Sequence, residues 1–268
     1  MLFQPHLNTR LRQQSPLVCA LTNIVTVNDV ANALYAIGAK PSMPRAAAEA
    51  ESYAQKAAAL LINIGSLDET LAQTYLRYAA AASHAHCPII IDPVGVGHSP
   101  WRYQLLKALL DTCQPSLIRG NISEIQALLK GGESGTIGVD VSPQEARLPG
   151  SEKLAIANAL SQKLHCHVII TGPSDYIATA QGEKASLQAG APLLSQITGA
   201  GCMLSGILAA YLAVENSLEA LLTGLSHLAV ASERAAQKAA GPGTFHAQLF
   251  DALYHFDAQP LELNVTHY

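Results

Sequence analysis

The sequence predicts an α/β fold, a mostly parallel central sheet with helices packed on both faces. Three observations carry this. Short apolar runs alternate with long Ala-rich amphipathic segments over most of the 268 residues, the pattern of strands buried on both sides. The runs end in polar residues or Gly, at Asn23, Asn63-Ile-Gly65, Asp92, Arg119-Gly-Asn121, Thr171-Gly172 and Thr198-Gly199. Such folds bind ligands at the carboxyl ends of their strands, so these residues point to one site. No break in composition marks a boundary, and residues 1–268 read as one domain.

The elements follow in order. Val18 to Thr22 reads as a strand. Thr26 to Ile37 reads as a helix, with Val27, Val30, Leu34 and Ile37 at helical spacing and Gly38 ending it. Ala46 to Ala58 forms a second helix, and Leu60 to Ile64 a strand. Ser66 opens the next helix, with Glu69 placed as in a capping box, and it runs to about His84. Pro88 to Ile91 is a buried strand, Trp101 to Leu110 a helix, and Ser116 to Ile118 a strand. Asn121 and Glu124 cap a helix over Ser123 to Lys130. Gly131 to Gly150 is a long connection whose role the pattern leaves open. Ser151 to Leu164 is helical, and His167 to Thr171 is a strand. Tyr176 to Thr179 and Lys184 to Leu187 form a hairpin about Gln181-Gly182. Leu193 to Ile197 reads as a further strand. Helices then cover Gly201 to Glu215, Ser217 to Ala239 and Phe245 to Phe256.

Composition removes several classes of function. With 49% hydrophobic and 13% charged residues, the chain can bury a sizeable core. A net charge of −4 gives no reason to expect nucleic acid or an anionic membrane as a partner. The five cysteines are odd in number, widely spaced and lack Cys-x-x-Cys, which fits a reducing cytoplasm. Met1 to Gln14 lacks the apolar core of a signal peptide. Met203 to Val214, the longest apolar stretch, falls short of the roughly 20 residues a membrane span needs.

Three motifs carry chemistry. In Thr198-Gly-Ala-Gly-Cys202, between a strand and a helix, the N–H groups of Gly199, Ala200, Gly201 and Cys202 suit an anion. The same run serves equally well as a helix start with glycines for close packing. In Asp92-Pro-Val-Gly-Val-Gly97 the carboxylate either holds Mg²⁺ or caps the turn before Pro93. In Arg119-Gly-Asn-Ile-Ser-Glu124, Arg119 can reach a phosphate, and Glu124 either orients Mg²⁺ or caps its helix. Cys202, at a helix start where thiol pKa values fall, is a base toward a hydroxyl or a pocket wall. The groups His84, His86, Cys87 and His165, Cys166, His167 sit at helix-to-strand junctions, where His caps helix ends; that role is preferred to a metal site.

Taken together, these motifs resemble the hydroxyethylthiazole kinases of thiamine salvage, within the ribokinase-like superfamily. The resemblance runs from about Pro16 to Gln248 and includes Leu21-Thr-Asn23, Gly38-Ala-Lys-Pro-Ser-Met43, Leu61-Ile-Asn-Ile-Gly65 and Gly241-Pro-Gly243 with the motifs above. It implies a ribokinase-like three-layer α/β/α fold. It also implies transfer of the ATP γ-phosphate to the hydroxyl of 4-methyl-5-(2-hydroxyethyl)thiazole. By the same resemblance, Met43, Asn23 and Gly199 meet the thiazole, and Arg119 and Thr171 bind ATP. Asp92 and Glu124 organise Mg²⁺, and Gly199, Ala200 and Gly201 form the anion hole beside a catalytic Cys202. Many ribokinase-like relatives carry Asp where the thiazole kinases carry Cys, so Cys202 favours the thiazole over a pyrimidine alcohol or pyridoxal. A silent thiazole-binding protein is the alternative outside enzymes. The family further implies a homotrimer with the pocket at a subunit interface.

Overall fold

The computed structural model describes residues 5–131, 147–256 and 264–268. Nine strands and ten α-helices follow one another among these residues. They are α1 (Pro5–Gln14), β1 (Leu17–Leu21), α2 (Val27–Ile37), β2 (Lys40–Ser42), α3 (Ala50–Ala54), β3 (Ala59–Asn63) and α4 (Glu69–His84). Next come β4 (Ile89–Asp92), α5 (Pro100–Thr112), β5 (Leu117–Asn121), α6 (Ile122–Lys130), α7 (Gly150–Leu164) and β6 (His167–Thr171). The rest are β7 (Asp175–Ala178), β8 (Lys184–Gln188), α8 (Ala200–Val214), α9 (Leu218–Lys238), α10 (Pro242–Tyr254) and β9 (Asn264–His267).

One sheet takes the order β2-β1-β3-β4-β5-β6-β7-β8-β9. Strands β1 to β6 pair in parallel, and β6 to β9 antiparallel. Alternate side chains of the parallel strands enter different cores. Val18, Ala20, Leu61 and Ile90 join α1, α2, α8, α9 and α10 on one face. Cys19, Leu21, Ile62 and Ile91 join α3 to α7 on the other. Both faces being buried is why the strands read as apolar runs rather than alternating ones. The three layers are those expected.

Several expectations need correction. Leu193 to Ile197 is not a strand: Pro192–Gln196 forms a 3-10 turn. The free edge of β8 is already taken by β9, and Leu193 and Leu194 spend their apolar surface on the helical core. The helix expected from Ser66 starts at Glu69, because Asp68 is the cap and its Oδ1 accepts the Leu71 N–H at 2.7 Å. Ala46 to Ala58 holds only the turn Ala47–Glu49 and the short α3. The helix expected from Phe245 starts at Pro242. The polar α1 and the brief β2 and β9 lacked a periodic signal. In the Gly131 to Gly150 connection, residues 132–146 lie outside the described residues.

The His- and Cys-containing groups are structural. His165 ends α7 in a left-handed conformation. His167 Nε2 donates to Asn216 Oδ1 at 2.9 Å, while its Nδ1 accepts the Ala180 N–H at 3.3 Å. Among the described residues, no three His, Cys, Asp or Glu side chains group to hold a metal. All five cysteines are buried thiols. No helix among these residues is long and apolar enough to cross a membrane.

A buried histidine locks the helical layer. His227 on α9 is fully buried and stacks on Phe256, with ring centroids 3.9 Å apart. Its Nε2 bonds the Leu253 carbonyl at 3.0 Å. A carbonyl only accepts, so Nε2 carries the proton and Nδ1 accepts from the Tyr211 hydroxyl at 2.8 Å. Burial holds the His227 pKa down to about 3, below its ordinary 6.5. The unfolded chain therefore takes up this proton first, so the stabilisation is full above pH 6.5 and declines as pH falls toward 3. Lowering the pH from 7 to 5 is expected to cost roughly 2 kcal/mol through this group. His227→Gln should remove that share of the pH dependence, read from urea unfolding at the two pH values.

Candidate active site

Parallel pairing brings the ends of five strands to one edge of the sheet. Asn63 ends β3 and Asp92 ends β4, and the two stand opposite each other in register. Asn121 and Thr171 do the same at the ends of β5 and β6. Asn23 lies two residues past the end of β1. Helix α8 starts against this edge, and Cys202 and Ser205, one turn apart, share the face turned to it.

Asp92 has no exposed surface. Its Oδ2 accepts from Ser205 Oγ at 2.8 Å and from Asn63 Nδ2 at 3.1 Å, with Arg119 Nη1 at 3.6 Å. Its Oδ1 is equally buried and has no protein partner. Burial pushes the carboxyl pKa up, while Arg119, Ser205 and Asn63 pull it down.

Arg119 links this carboxylate to the neighbouring strand, its Nη2 donating to Thr171 Oγ1 at 2.6 Å. The guanidinium lies directly over the start of α8. A Cβ on Gly201 would stand 2.6 Å from Arg119 Nη1, closer than real Cβ contacts. Gly199 has a separate reason to be glycine: its φ is +87°, and a Cβ would sit 2.8 Å from Thr26 Cγ2. The two glycines of the run thus admit two different neighbours. The run follows a 3-10 turn, rather than the strand expected. The first intrahelical bond of α8 runs from Met203 N–H to Gly199 O at 2.8 Å. The earlier N–H groups of Ala200, Gly201 and Cys202 therefore lack intrahelical acceptors.

Cys202 departs from expectation. Burial, with the nearby Asp92 charge, pushes its thiol pKa above the ordinary value, against smaller pulls from Thr26 and Asn23. Desolvation outweighs the helix start, so the thiol stays protonated at neutral pH. Its sulfur receives Asn63 Nδ2 at 3.2 Å and Asn23 Nδ2 at 3.4 Å.

Glu124 forms the expected capping box with Asn121. Its Oε2 accepts the Asn121 N–H at 2.8 Å, and its Oε1 accepts the Gly95 N–H at 3.0 Å. The one side chain therefore caps α6 and ties down the loop that follows Asp92. Burial, and then the Asp92 charge, push its pKa up to about 7.

A cavity of about 660 Å³ opens beside this network. Arg119, Asn121, Thr171, Asp175 and Gly201 line it together with the apolar Leu194, Leu225 and Leu228. Met43 lies apart from the hydrogen-bonded group, half-buried just past β2 at the same sheet edge. The sequence marks Asn63 as a strand end and as part of the Leu61–Gly65 motif but gives it no role, and it does not mark Ser205 or Asp175 as site residues. Ser205 was findable, three residues beyond Cys202 on the same helical face. Asp175, which accepts the Gly172 N–H at 3.2 Å, carries no such signal.

The model of the hydroxyethylthiazole kinase family matches residues 8–259. The hydroxyethylthiazole kinase of Staphylococcus aureus is 41% identical over 253 residues, covering 92% of this chain and 93% of that protein. The structure of hydroxyethylthiazole kinase from Pyrococcus horikoshii matches with a TM-score of 0.88 at 30% identity, over 98% of both chains. A ribokinase-like superfamily protein from Enterococcus faecalis shares the fold, with a TM-score of 0.63 at 16% identity over 94% of this chain and 90% of that one. The fold is thus ribokinase-like, and the chain belongs to the hydroxyethylthiazole kinase family.

Proposed function

We propose that this chain, acting as one kinase domain over residues 1–268, transfers the γ-phosphoryl group of ATP to the hydroxyl of 4-methyl-5-(2-hydroxyethyl)thiazole in thiamine salvage. Family membership supports kinase chemistry and the substrate. One geometric observation carries the mechanism: Cys202 and Asp92 lie within one hydrogen-bonded group at the start of α8, beside a cavity of about 660 Å³.

In this reading the triphosphate enters the cavity, held by the polar Arg119 and Thr171, and its base meets the apolar side chains of the lining. The N–H groups around Gly199, Ala200 and Gly201 hold the transferring phosphoryl, which carries spread charge and needs placement more than covalent help. The alcohol lies toward Asn23, Met43 and Gly199, with its hydroxyl at Cys202. A thiol whose pKa is raised is a poor base. Cys202 therefore holds the hydroxyl oxygen by hydrogen bonding, and the alcohol proton passes late to an oxygen of the transferred phosphoryl group, as a loose transition state allows.

Mg²⁺ fits the residues present. Asp92 Oδ1 is a hard oxygen donor, buried and without a protein partner, the kind of ligand Mg²⁺ takes alongside phosphate and water. Glu124 stands against the same loop and would hold the ion's waters. Mg²⁺, when bound, would neutralise phosphate charge; Asp92 and Glu124 would fix its place.

We further read the active form as a homotrimer with the thiazole pocket at a subunit interface. Ile24 and Val25, next to Asn23, are 67% and 64% exposed, and Tyr35 on α2 is 63% exposed, an apolar surface suited to a second copy. Free buried cysteines and a net charge of −4 agree with a cytoplasmic enzyme that has no nucleic-acid partner.

ADP release by purified protein should appear with the thiazole alcohol and be absent with hydroxymethylpyrimidine and pyridoxal. Turnover with only one of the latter two would overturn the substrate assignment, and thiazole binding without turnover would leave a sensor. Gly201→Ala should displace Arg119 and raise the KM for ATP by about tenfold or more, the worth of a charge-assisted hydrogen bond. The KM for the alcohol should change little. An unchanged KM for ATP would remove Arg119 from nucleotide binding.

A further inference from the structure

Asn63 bonds Asn23, Gly65, Asp92 and Cys202 at once, yet the proposed mechanism gives it no work. Its orientation is not free. The Gly65 N–H donates at 2.9 Å to Asn63 Oδ1, and a backbone N–H can only donate. The carboxamide oxygen is therefore fixed, and Nδ2 must face the other way. There its two hydrogens reach Asp92 Oδ2 at 3.1 Å and Cys202 Sγ at 3.2 Å. Asn23 is fixed by the same logic, its Oδ1 accepting the Thr26 N–H at 3.2 Å. Its Nδ2 then donates to Asn63 Oδ1 at 3.3 Å and to Cys202 Sγ at 3.4 Å. Gly65 leaves room for this meeting: a Cβ there would lie 3.0 Å from both Asn23 Nδ2 and Asn63 Oδ1.

Two consequences follow. The sulfur is offered two N–H donors, so its own S–H cannot point at either amide, and Thr26 is the further polar neighbour beside it. Asp92 Oδ2 is filled by Asn63 and Ser205, so only Oδ1 remains to act on a ligand. We propose that Asn63 is the positioning residue of the phosphoryl-transfer centre, setting at once the direction of the Cys202 proton and the free oxygen of Asp92. This inference rests on the kinase reading above. Asn63 acts on the reaction through its neighbours, so its loss should slow turnover more than it weakens binding.

The test measures kcat and KM for both substrates in Asn63→Asp and Asn63→Ser. Asn63→Asp keeps the shape and the acceptor for Gly65 but abolishes donation. Asn63→Ser is smaller and uncharged, and carries the test whether or not Asn63→Asp folds. Each variant should lower kcat by about tenfold or more, with both KM values within about threefold of the unaltered protein. A double-mutant cycle with Cys202→Ser gives the readout that a merely structural role would not move. In the Cys202→Ser background, Asn63→Ser should lower kcat by at most about a third of its factor in the unaltered protein, because groups acting as a unit are not additive. An unaltered kcat in the variants, or an equal factor in both backgrounds, would overturn the inference. Turnover of the thiazole alcohol by the unaltered protein is the control. Its absence would count against the proposed function, whereas its presence with unaffected variants counts against Asn63 alone.

Discussion

A carboxylate taken wholly out of water is costly unless its charge is met and its oxygens are hydrogen-bonded. Asp92 is in that position at the end of β4, with no exposed surface. Arg119 meets its charge at 3.6 Å, and Ser205 and Asn63 bond one of its oxygens. Those partners come from β5, α8 and β3, so the carboxylate is satisfied only when the sheet and α8 are correctly docked. The other oxygen is left over. A buried acceptor without a protein partner is uncommon, and under the proposed function this oxygen would hold a cation at the transferred phosphate.

The scaffold makes this affordable through its apolar packing. Parallel strands enter a core on each face, and α8 is buried along almost its whole length. Close approach by neighbours depends on small residues in that helix. A Cβ on Gly206 would come within 3.1 Å of Val30 Cγ1, and one on Gly201 would collide with the Arg119 guanidinium. Gly201 thus sets how near Arg119 comes to the helix start, and Gly206 how near α2 packs on α8. The first of these distances fixes which atoms share the site.

The sequence made local and periodic features legible. The capping box of Asn121 and Glu124 spans three residues, and the parallel strands announce themselves by apolar runs. Placement at strand ends then marks Asn23, Asp92, Arg119 and Thr171 as neighbours. The individual hydrogen bonds within that group left no such trace: Asn63 and Cys202 are 139 residues apart, and nothing local reports that their side chains bond. Cys202 shows competition between effects. Its helix-start position argues for a lowered pKa, but burial and the Asp92 charge prevail. Leu193 to Ile197 failed for a related reason. A short apolar run suits either a strand or a turn packed on the core, and the occupied edge of β8 decides between them.

Under the proposed function Asp92 Oδ1 is the oxygen kept free for a cation, with the rest of the network arranged to keep it so. The most direct measurement is a crystal structure of the protein with ADP and Mn²⁺, the ion located by anomalous scattering. The account predicts the ion beside Asp92, reached by Oδ1 directly or through one water, with Oδ2 still held by Ser205 and Asn63. An ion bound at Asp175 or away from both carboxylates, or an Asp92 whose oxygens have exchanged roles, would contradict it.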